Sequence, residues 1–356
     1  MLDRSTSPAP RSHSLSRSEC AIRLKSGESF TVHRNELLLA GALRQGISYP
    51  HSCTVGTCGS CKTKLASGRI SPLVDFALSP LTNDELKDGY VLACQSKVRS
   101  DLDVDVHLLD QNLIQPRSQV GEITHWELLP GDVVDVRVGF NEPFVFQAGQ
   151  YAALAASGSY VRRSFSFYDA APGPDGAREV GFLIKRLPGG RFSDWLARWD
   201  RRGVRMWMEA PFGQMGLDDT PRDAILVAGG TGIAPILSIA HDRLTRFPQR
   251  RLKIVFGVRT ARDLFALDKL EAIRTRAPEK VESILILSHE PPGSNWTGAR
   301  GLVTDALNEH LGLAFADAAA FVCGNLPMVV AVERRLKQLG MSPERIHADK
   351  FEPSGM

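Results

Sequence analysis

Apolar and polar positions change rhythm twice along this chain of 356 residues. Residues 20–24 and 29–33 are short strand-like runs on either side of a polar turn at 25–28 that contains Gly27. A short helix is predicted over 37–46, followed by a cysteine-rich loop, a further apolar stretch at 65–70, a return at 90–94 and an alternating run at 102–107. Together they fit a compact unit of about ninety residues, the size of one small domain. Segment 110–118, with Gln, Asn and Pro116, predicts a linker.

From 119 to 219 the runs are strand-like and separated by turn residues, at 133–138, 151–154, 164–168 and 180–185, which predicts an antiparallel barrel or sandwich interrupted by one helix at 192–199. After Pro221 strands and helices alternate: strands at 224–228, 252–256, 283–287 and 320–323, helices at 233–246, 264–277, 303–311 and 328–339. That alternation predicts a doubly wound α/β domain over 220–356. The expected fold is therefore multidomain, with a tail at 1–17, a first domain at 18–109, the linker, and two further domains.

Composition narrows the class. The content of 43% hydrophobic, 23% charged and 7% aromatic residues fits folded, water-soluble protein and excludes a disordered or coiled-coil chain. The net charge of +3 is spread without long basic runs, so neither nucleic acid nor an anionic membrane is expected as partner. The chain has no apolar run of the ~18 residues a membrane-spanning helix needs, and its start lacks the apolar core of a secretory signal, which predicts a cytoplasmic protein. The Ser/Arg-rich, acid-poor residues 1–17 read as a disordered tail, with an organelle transit peptide as the alternative. Six cysteines are too few for a disulfide scaffold of this size, and three fall within nine positions, which points to a metal site.

Cys53, Cys58 and Cys61 are separated by four and two residues, and Cys94 follows after thirty-two more. This is the spacing with which four thiolates hold a [2Fe-2S] cluster of the plant type. Gly56 and Gly59 would let the loop wrap the cluster and aim N–H groups at its sulfurs. A zinc site is the alternative, but such sites usually pair two CxxC knuckles and only one is present; a Rieske centre would need two histidine ligands that no CxH pair supplies. The run 50–61, with 92–95, closely resembles the plant-type ferredoxin family, which implies a β-grasp-like domain with these four cysteines as iron ligands.

Arg162-Arg163-Ser164-Phe165-Ser166-Phe167 resembles the flavin motif of the ferredoxin-NADP reductase family. The resemblance implies that Arg163 pairs with an FAD pyrophosphate, Phe165 packs on the isoalloxazine and Ser166 approaches its N5. Guanidinium forks match phosphate oxygens, and an aromatic face shields a flavin ring; the alternative is a plain strand with an exposed arginine. The Gly189-Gly190-Arg191-Phe192-Ser193 turn opens a helix, a ready phosphate site, and Gly190 and Ser193 meet the family's Gly-x-x-Ser pattern. Segments 146–151 and 210–213 match as well, so this domain is expected to be an antiparallel β-barrel that binds FAD.

Residues 226–235, a strand, a glycine turn and a helix start, place Gly230, Thr231 and Gly232 where a dinucleotide pyrophosphate would lie. The string resembles the NAD(P) domain of the same reductase family, as does 322–328, where Cys323 and Gly324 would lie beside the nicotinamide C4; the alternative is a buried strand cysteine. The closing Asp349-Lys350-Phe351-Glu352 resembles the family's terminal segment, in which an aromatic and an acid approach the flavin, with core packing as the alternative for Phe351. Arg259 and Arg262 could face a 2′-phosphate, but the 257–259 pattern also resembles NADH-using relatives, and NADH is expected over NADPH.

The order of modules resembles the reductase components of bacterial multicomponent oxygenases, of the benzoate dioxygenase reductase type. That resemblance implies a monomeric NADH-dependent iron-sulfur flavoprotein oxidoreductase. Hydride would pass from NADH to FAD near Ser166, Cys323 and Phe351, then single electrons would pass through the cluster to a terminal oxygenase of Rieske, di-iron or haem-thiolate type. His51, Thr54 and Thr57, beside the cluster, would belong to the docking face. Rival readings are a reductase for a deoxysugar dehydratase, a redox sensor without turnover and a zinc-stabilised module fused to a degenerate dinucleotide fold. No nucleophile elbow, HExxH helix or GxxxxGK[ST] loop supports hydrolytic chemistry.

Overall fold

A computed structural model describes residues 18–51, 56, 59–75, 80–108, 114, 116–156, 158–159 and 161–351. The chain divides into two compact units, Met1–Gln111 and Asn112–Met356.

In the first unit, β1 (Glu19–Leu24) and β2 (Ser29–His33) form an antiparallel hairpin whose alternate residues, Ile22 and Val32 among them, are buried, as a half-covered sheet requires. Helix α1 (Leu38–Arg44) lays Leu38, Leu39 and Ala42 on that face. Next come β3 (Lys62–Ser67), β4 (Ile70–Pro72), α2 (Asn83–Lys87), β5 (Tyr90–Leu92), β6 (Ser96–Val98) and β7 (Leu102–Asp105). The sheet order is β2-β1-β7-β3-β5, with β1 and β7 parallel, and β4 pairs with β6 alone. Helix α2, which apolar periodicity did not mark, starts at a capping box: Thr82 Oγ1 accepts from the Glu85 N–H and the Glu85 carboxylate accepts from the Thr82 N–H.

The second unit begins with β8 (Arg117–Leu129), so the strand starts inside the stretch read as linker. β9 (Val133–Phe144), β10 (Tyr151–Ala156), β11 (Arg163–Ser166) and β12 (Ala177–Lys185) follow, then α3 (Ser193–Ala197) and β13 (Arg205–Phe212). They make a six-stranded sheet, order β11-β10-β13-β8-β9-β12, antiparallel throughout. Its outer strands meet at a Phe167–Phe182 bridge, so the sheet curls round a core that includes Phe144, Phe146, Phe167 and Phe182, with Phe146 and Phe167 ring centroids 4.3 Å apart.

The rhythm then changes as expected. β14 (Ala224–Gly229), α4 (Ile233–Arg246), β15 (Leu252–Val258), α5 (Leu267–Arg276), β16 (Val281–Leu287), β17 (Ala299–Arg300), β18 (Ala319–Asn325), α6 (Leu326–Gln338) and β19 (Ile346–Phe351) build a parallel sheet of order β17-β16-β15-β14-β18-β19. Strands covered on both faces read as unbroken apolar runs, here AILVA and AAFV. Helices α4 and α5 share one apolar cluster with the sheet, and α6 lies in the other.

The helix expected over 303–311 is a correction. Val303, Leu307 and Leu311 are buried at the anticipated helical spacing, yet the segment is a series of turns ending in a 3-10 turn at Glu309–Leu311. Side chains compete for the backbone there: the Leu302 N–H donates to Asp305 Oδ2 at 2.8 Å and the His310 N–H to Asn308 Oδ1 at 3.0 Å. Gly312, left-handed at φ 68°, closes the run.

One apolar cluster crosses from the curled sheet to the parallel one, taking Val133, Ala148, Tyr168, Leu183 and Met215 together with Ile236, Ile239 and Phe256. The connection from β13 to β14 is gripped by Arg243 of α4, 1% exposed, whose guanidinium donates to the carbonyls of Asp218, Thr220 and Arg222 at 3.3, 3.0 and 2.7 Å. Among the described residues no helix is long and apolar enough to cross a membrane.

Candidate cofactor sites

Of the four cysteines, Cys53 and Cys58 lie outside the described residues, as do Thr54 and Thr57. Cys61 and Cys94, both buried, are brought together: the Cys94 N–H points at Cys61 Sγ at 3.4 Å, and Gln95 Nε2 lies 3.7 Å from Cys94 Sγ. N–H groups aimed at sulfur suit thiolates that carry metal charge. The backbone is braced from behind, where the Tyr49 and Thr63 hydroxyls meet at 2.6 Å and Thr63 Oγ1 donates to the Cys61 carbonyl at 3.1 Å. Burial pushes the Tyr49 phenol well above its ordinary range, so it stays a neutral partner. Gly56 and Gly59 both take positive φ, 88° and 74°, as a wrapping loop requires. His51 Nδ1 lies 2.7 Å from the Tyr49 carbonyl.

In the curled sheet, Arg163, Phe165 and Ser166 all fall on β11, paired with β10 at Leu154, Ala152 and Tyr151. Arg163 is part-exposed, with Nη1 2.8 Å from the Arg162 carbonyl. Phe165 is half-buried against Phe192, ring centroids 5.3 Å apart. Ser166 is 5% exposed, and its hydroxyl has no hydrogen-bond partner among the described residues. An unpaired buried hydroxyl costs about 1–3 kcal/mol, so it marks a place where an outside acceptor or donor fits. Gly189 turns at φ 74°, and a Cβ on Gly190 would come within 2.7 Å of Ser193 Oγ and 2.9 Å of the Leu187 carbonyl. Ser193 Oγ accepts from the Leu187 N–H at 3.1 Å, so it fixes the turn. The residues fit a flavin nucleotide: a cationic fork, an aromatic wall, an unsatisfied hydroxyl and a turn too tight for any side chain.

In the parallel sheet, Gly230–Gly232 form a 3-10 turn from β14 into α4, with Thr231 between the two glycines. A Cβ at Gly232 would collide with the Cys323 carbonyl, its carbon only 2.6 Å away, whereas one at Gly230 would meet open space. The glycine turn and the Cys323-Gly324 end of β18 are thus one structure. Asn325 caps α6 beside it, its side chain accepting from the Met328 N–H at 3.0 Å. Cys323 is fully buried, and desolvation, then the neighbouring Asp349 charge, push its thiol far up.

Asp349 is a site residue that the sequence pattern did not single out. Parallel pairing sets Cys323 against Asp349, Gly324 against Lys350 and Asn325 against Phe351. Protein crowds Asp349 closely enough that desolvation pushes its carboxyl up to about 6, a partial surface exposure notwithstanding. Only strand register, not spacing along the chain, reveals that an acid sits next to the buried thiol. Phe351 is half-buried and packs on the cluster that crosses the unit; Glu352 lies outside the described residues. Arg259 and Arg262 are exposed after β15, and Glu290 joins them: the Ala261 N–H donates to its Oε2 at 2.7 Å. Hydrogen bonds from Ser294 and that N–H hold its carboxyl below the usual range.

Comparison with known proteins matches two of these regions to families. The 2Fe-2S iron-sulfur cluster binding domain matches residues 22–99, and the oxidoreductase NAD-binding domain residues 226–334. The xylene/toluene monooxygenase electron transfer component of Pseudomonas putida is 37% identical over 325 residues, 91% of each chain. The reductase subunit of an aromatic O-demethylase from Amycolatopsis is 33% identical, covering 92% of this chain and 97% of its own. Among solved structures, the Amycolatopsis cytochrome P450 reductase GcoB superposes with a TM-score of 0.77 at 30% identity over 94% of this chain and 99% of that one. The ferredoxin reductase in carbazole 1,9a-dioxygenase gives 0.70 at 26% identity over 94% and 98%.

Proposed function

We infer the working of this protein from one premise: the chain belongs to the family of iron-sulfur flavoprotein reductases that are electron-transfer components of multicomponent oxygenases. It is an oxidoreductase that draws on NADH and uses FAD and a [2Fe-2S] cluster. Bound FAD converts a two-electron hydride into single electrons, and the bound cluster relays them one at a time to a terminal oxygenase.

We assign the cluster to Cys53, Cys58, Cys61 and Cys94 on a β-grasp-like domain at 18–109, with a linker from 110 that ends before β8 at Arg117 and 1–17 as tail. The FAD domain, 119–219, is a β-barrel in which Arg163 and the Gly189-Gly190-Ser193 turn hold the pyrophosphate. Phe165 covers the ring there, and Ser166 offers its unpaired hydroxyl at the reacting edge. In the doubly wound domain, 220–356, Gly230, Thr231 and Gly232 bind the NADH pyrophosphate. Cys323 and Gly324 would border the nicotinamide, and Phe351 would approach the flavin. Asp349, protonated up to about pH 6, keeps the surroundings of Cys323 uncharged in that range.

NADH is preferred because Glu290, held against the turn that carries Arg262, accepts a ribose hydroxyl and repels a phosphate. The protein works as a cytoplasmic monomer, and His51, Thr54 and Thr57 line the face presented to the oxygenase. The relatives named above serve a xylene/toluene monooxygenase and an aromatic O-demethylase, and an aromatic-oxidising partner is the reading they favour.

The observation that carries this assignment is the packing of Gly232 on the Cys323 carbonyl, which joins two motifs far apart in the chain into one nucleotide site. The test is an anaerobic absorbance spectrum before and after a small excess of NADH, with EPR on the reduced sample. Flavin and iron-sulfur bands that bleach, with a rhombic [2Fe-2S] signal, are expected. A yellow protein without that signal would remove the cluster from the route, and a colourless one would remove the enzyme.

A further inference from the structure

An ion pair between a part-exposed lysine and a buried aspartate ties the curled sheet to the parallel one. Lys269, on α5, places Nζ 2.8 Å from Oδ2 of Asp135, on β9. Asp135 is only 3% exposed, and its other oxygen accepts a hydrogen bond from the Tyr168 hydroxyl at 2.9 Å. The same hydroxyl accepts from Arg137 Nη1 at 2.9 Å, and Arg137 also holds Asp169 at 3.0 Å and Glu179 at 2.7 Å. The Lys269 ammonium lies 5.1 Å from the Tyr168 ring centroid.

This arrangement is built into the strands. A Cβ at Gly181 of β12 would come within 2.5 Å of Tyr168 Cε1, so the phenol can lie against β12 only because that residue is glycine. The Gly181 N–H is in turn bonded to Asp169. Tyr168 follows Ser166 by two residues, so the chain segment that carries the flavin-facing hydroxyl is the one Lys269 grips through Asp135.

The physics of the joint explains what such a grip can do. Its other contacts are largely apolar, from Val133, Ala148, Leu183 and Met215 against Ile236 and Ile239, and apolar attraction is non-directional. A directional polar contact adds to such packing a constraint on the angle between the two sheets. A partly buried ion pair adds little net stability, since desolvation offsets the attraction, but it holds only in one register.

We propose that Lys269 is a positioning residue for hydride transfer: through Asp135 and Tyr168 it sets the angle at which the nucleotide-binding half presents the nicotinamide to the flavin strand. The proposal rests on the reading of Arg163 to Ser166 and of Gly230 to Cys323 as the two sides of the hydride step. On that reading the residues assigned to NADH all lie within the parallel-sheet half, so loosening the joint should alter the rate of transfer and not affinity. Transfer is steep in misplacement, with an error of about 1 Å worth up to about a hundredfold.

The test uses full-length holoprotein and follows anaerobic flavin bleaching after rapid mixing with NADH over a concentration series. Lys269→Met should lower the limiting rate roughly tenfold or more, with the NADH dissociation constant within about twofold of wild type. Lys269→Arg, which can still reach Asp135, should recover most of the rate. Tyr168→Phe keeps the ring and gives a second reading should the methionine variant fold poorly; a smaller slowing in the same parameter is expected. A Lys269→Met protein that bleaches at the wild-type limiting rate would overturn the proposal, as would a loss confined to affinity or an arginine variant no better than methionine. A wild-type protein that NADH does not bleach would instead overturn the assignment of the two half-sites, and the positioning role with it.

Discussion

The curled-sheet half assigned to the flavin and the parallel-sheet half assigned to the nicotinamide both rely on glycine, for different physical reasons. At Gly190 the crowding atoms are Ser193 Oγ and the Leu187 carbonyl, so a tight local turn forbids a side chain. At Gly232 the obstacle is the Cys323 carbonyl, supplied by a strand far along the sequence. The polar chemistry differs as well. The flavin side leaves a buried hydroxyl unpaired at Ser166, whereas the nicotinamide side buries a thiol beside an acid whose carboxyl is itself pushed up. One half is prepared to form a hydrogen bond; the other keeps a buried thiol protonated beside an acid.

The contrast is broken most forcefully at the second glycine. Gly232→Ala must displace the backbone of β18, and a loss of at least about 3 kcal/mol in unfolding free energy is expected by denaturant titration. Gly230→Ala, which meets open space and pays only for φ 53°, should lose about 1 kcal/mol. Equal losses would mean that the two motifs are not one packed site. On the flavin side, Arg163→Ala should weaken FAD binding by roughly ten- to a hundredfold, the worth of charge-assisted bonds to phosphate, read by fluorescence of released flavin. Full retention would move the pyrophosphate elsewhere.

Ser166→Ala separates function from stability on the flavin side. The hydroxyl has no hydrogen-bond partner among the described residues, so its removal should leave the melting temperature of flavin-free protein unchanged or raised while slowing flavin reduction by about tenfold. A destabilised apoprotein would show that the hydroxyl is structural. The smallest effect is at Asp349. Its folded carboxyl titrates near 6 against an ordinary 3.8, so the folded state holds its proton more tightly than the unfolded chain. That contribution favours folding at low pH and is lost as pH rises through about 4 to 6. Asp349→Asn should therefore remove one component of the fall in melting temperature over that window, and an unaltered profile would contradict the shift.

Local signals were legible where the determining atoms are local. Helix 233–246 was placed to the residue and the strand at 224–228 to within one, because apolar strands and a glycine turn announce themselves. Strand β13 and most of β8, by contrast, carry polar and charged residues such as Arg205, Glu209, Thr124 and Glu127, and were not marked as strands; pairing with neighbours determines them. At 303–311 the burial was legible and the conformation was not, because Asp305 and Asn308 bond to nearby backbone. Thr82 and Glu85 spell a capping signature that could have revealed α2. Residues Arg163 to Ser166 sit on one strand, but Asp349, Glu290 and Lys269 meet their partners through register or long-range contact, which spacing along the chain does not encode.

Electrons are expected to enter at the flavin and leave through the cluster. The most direct measurement mixes full-length protein with NADH anaerobically and follows flavin bleaching beside freeze-quenched EPR, in wild type and in Cys94→Ser. The account predicts that bleaching precedes the [2Fe-2S] signal in wild type, and that Cys94→Ser keeps the bleaching and loses the signal. A signal that rises before the flavin bleaches, or a variant with FAD still bound in which bleaching is lost as well, would contradict it.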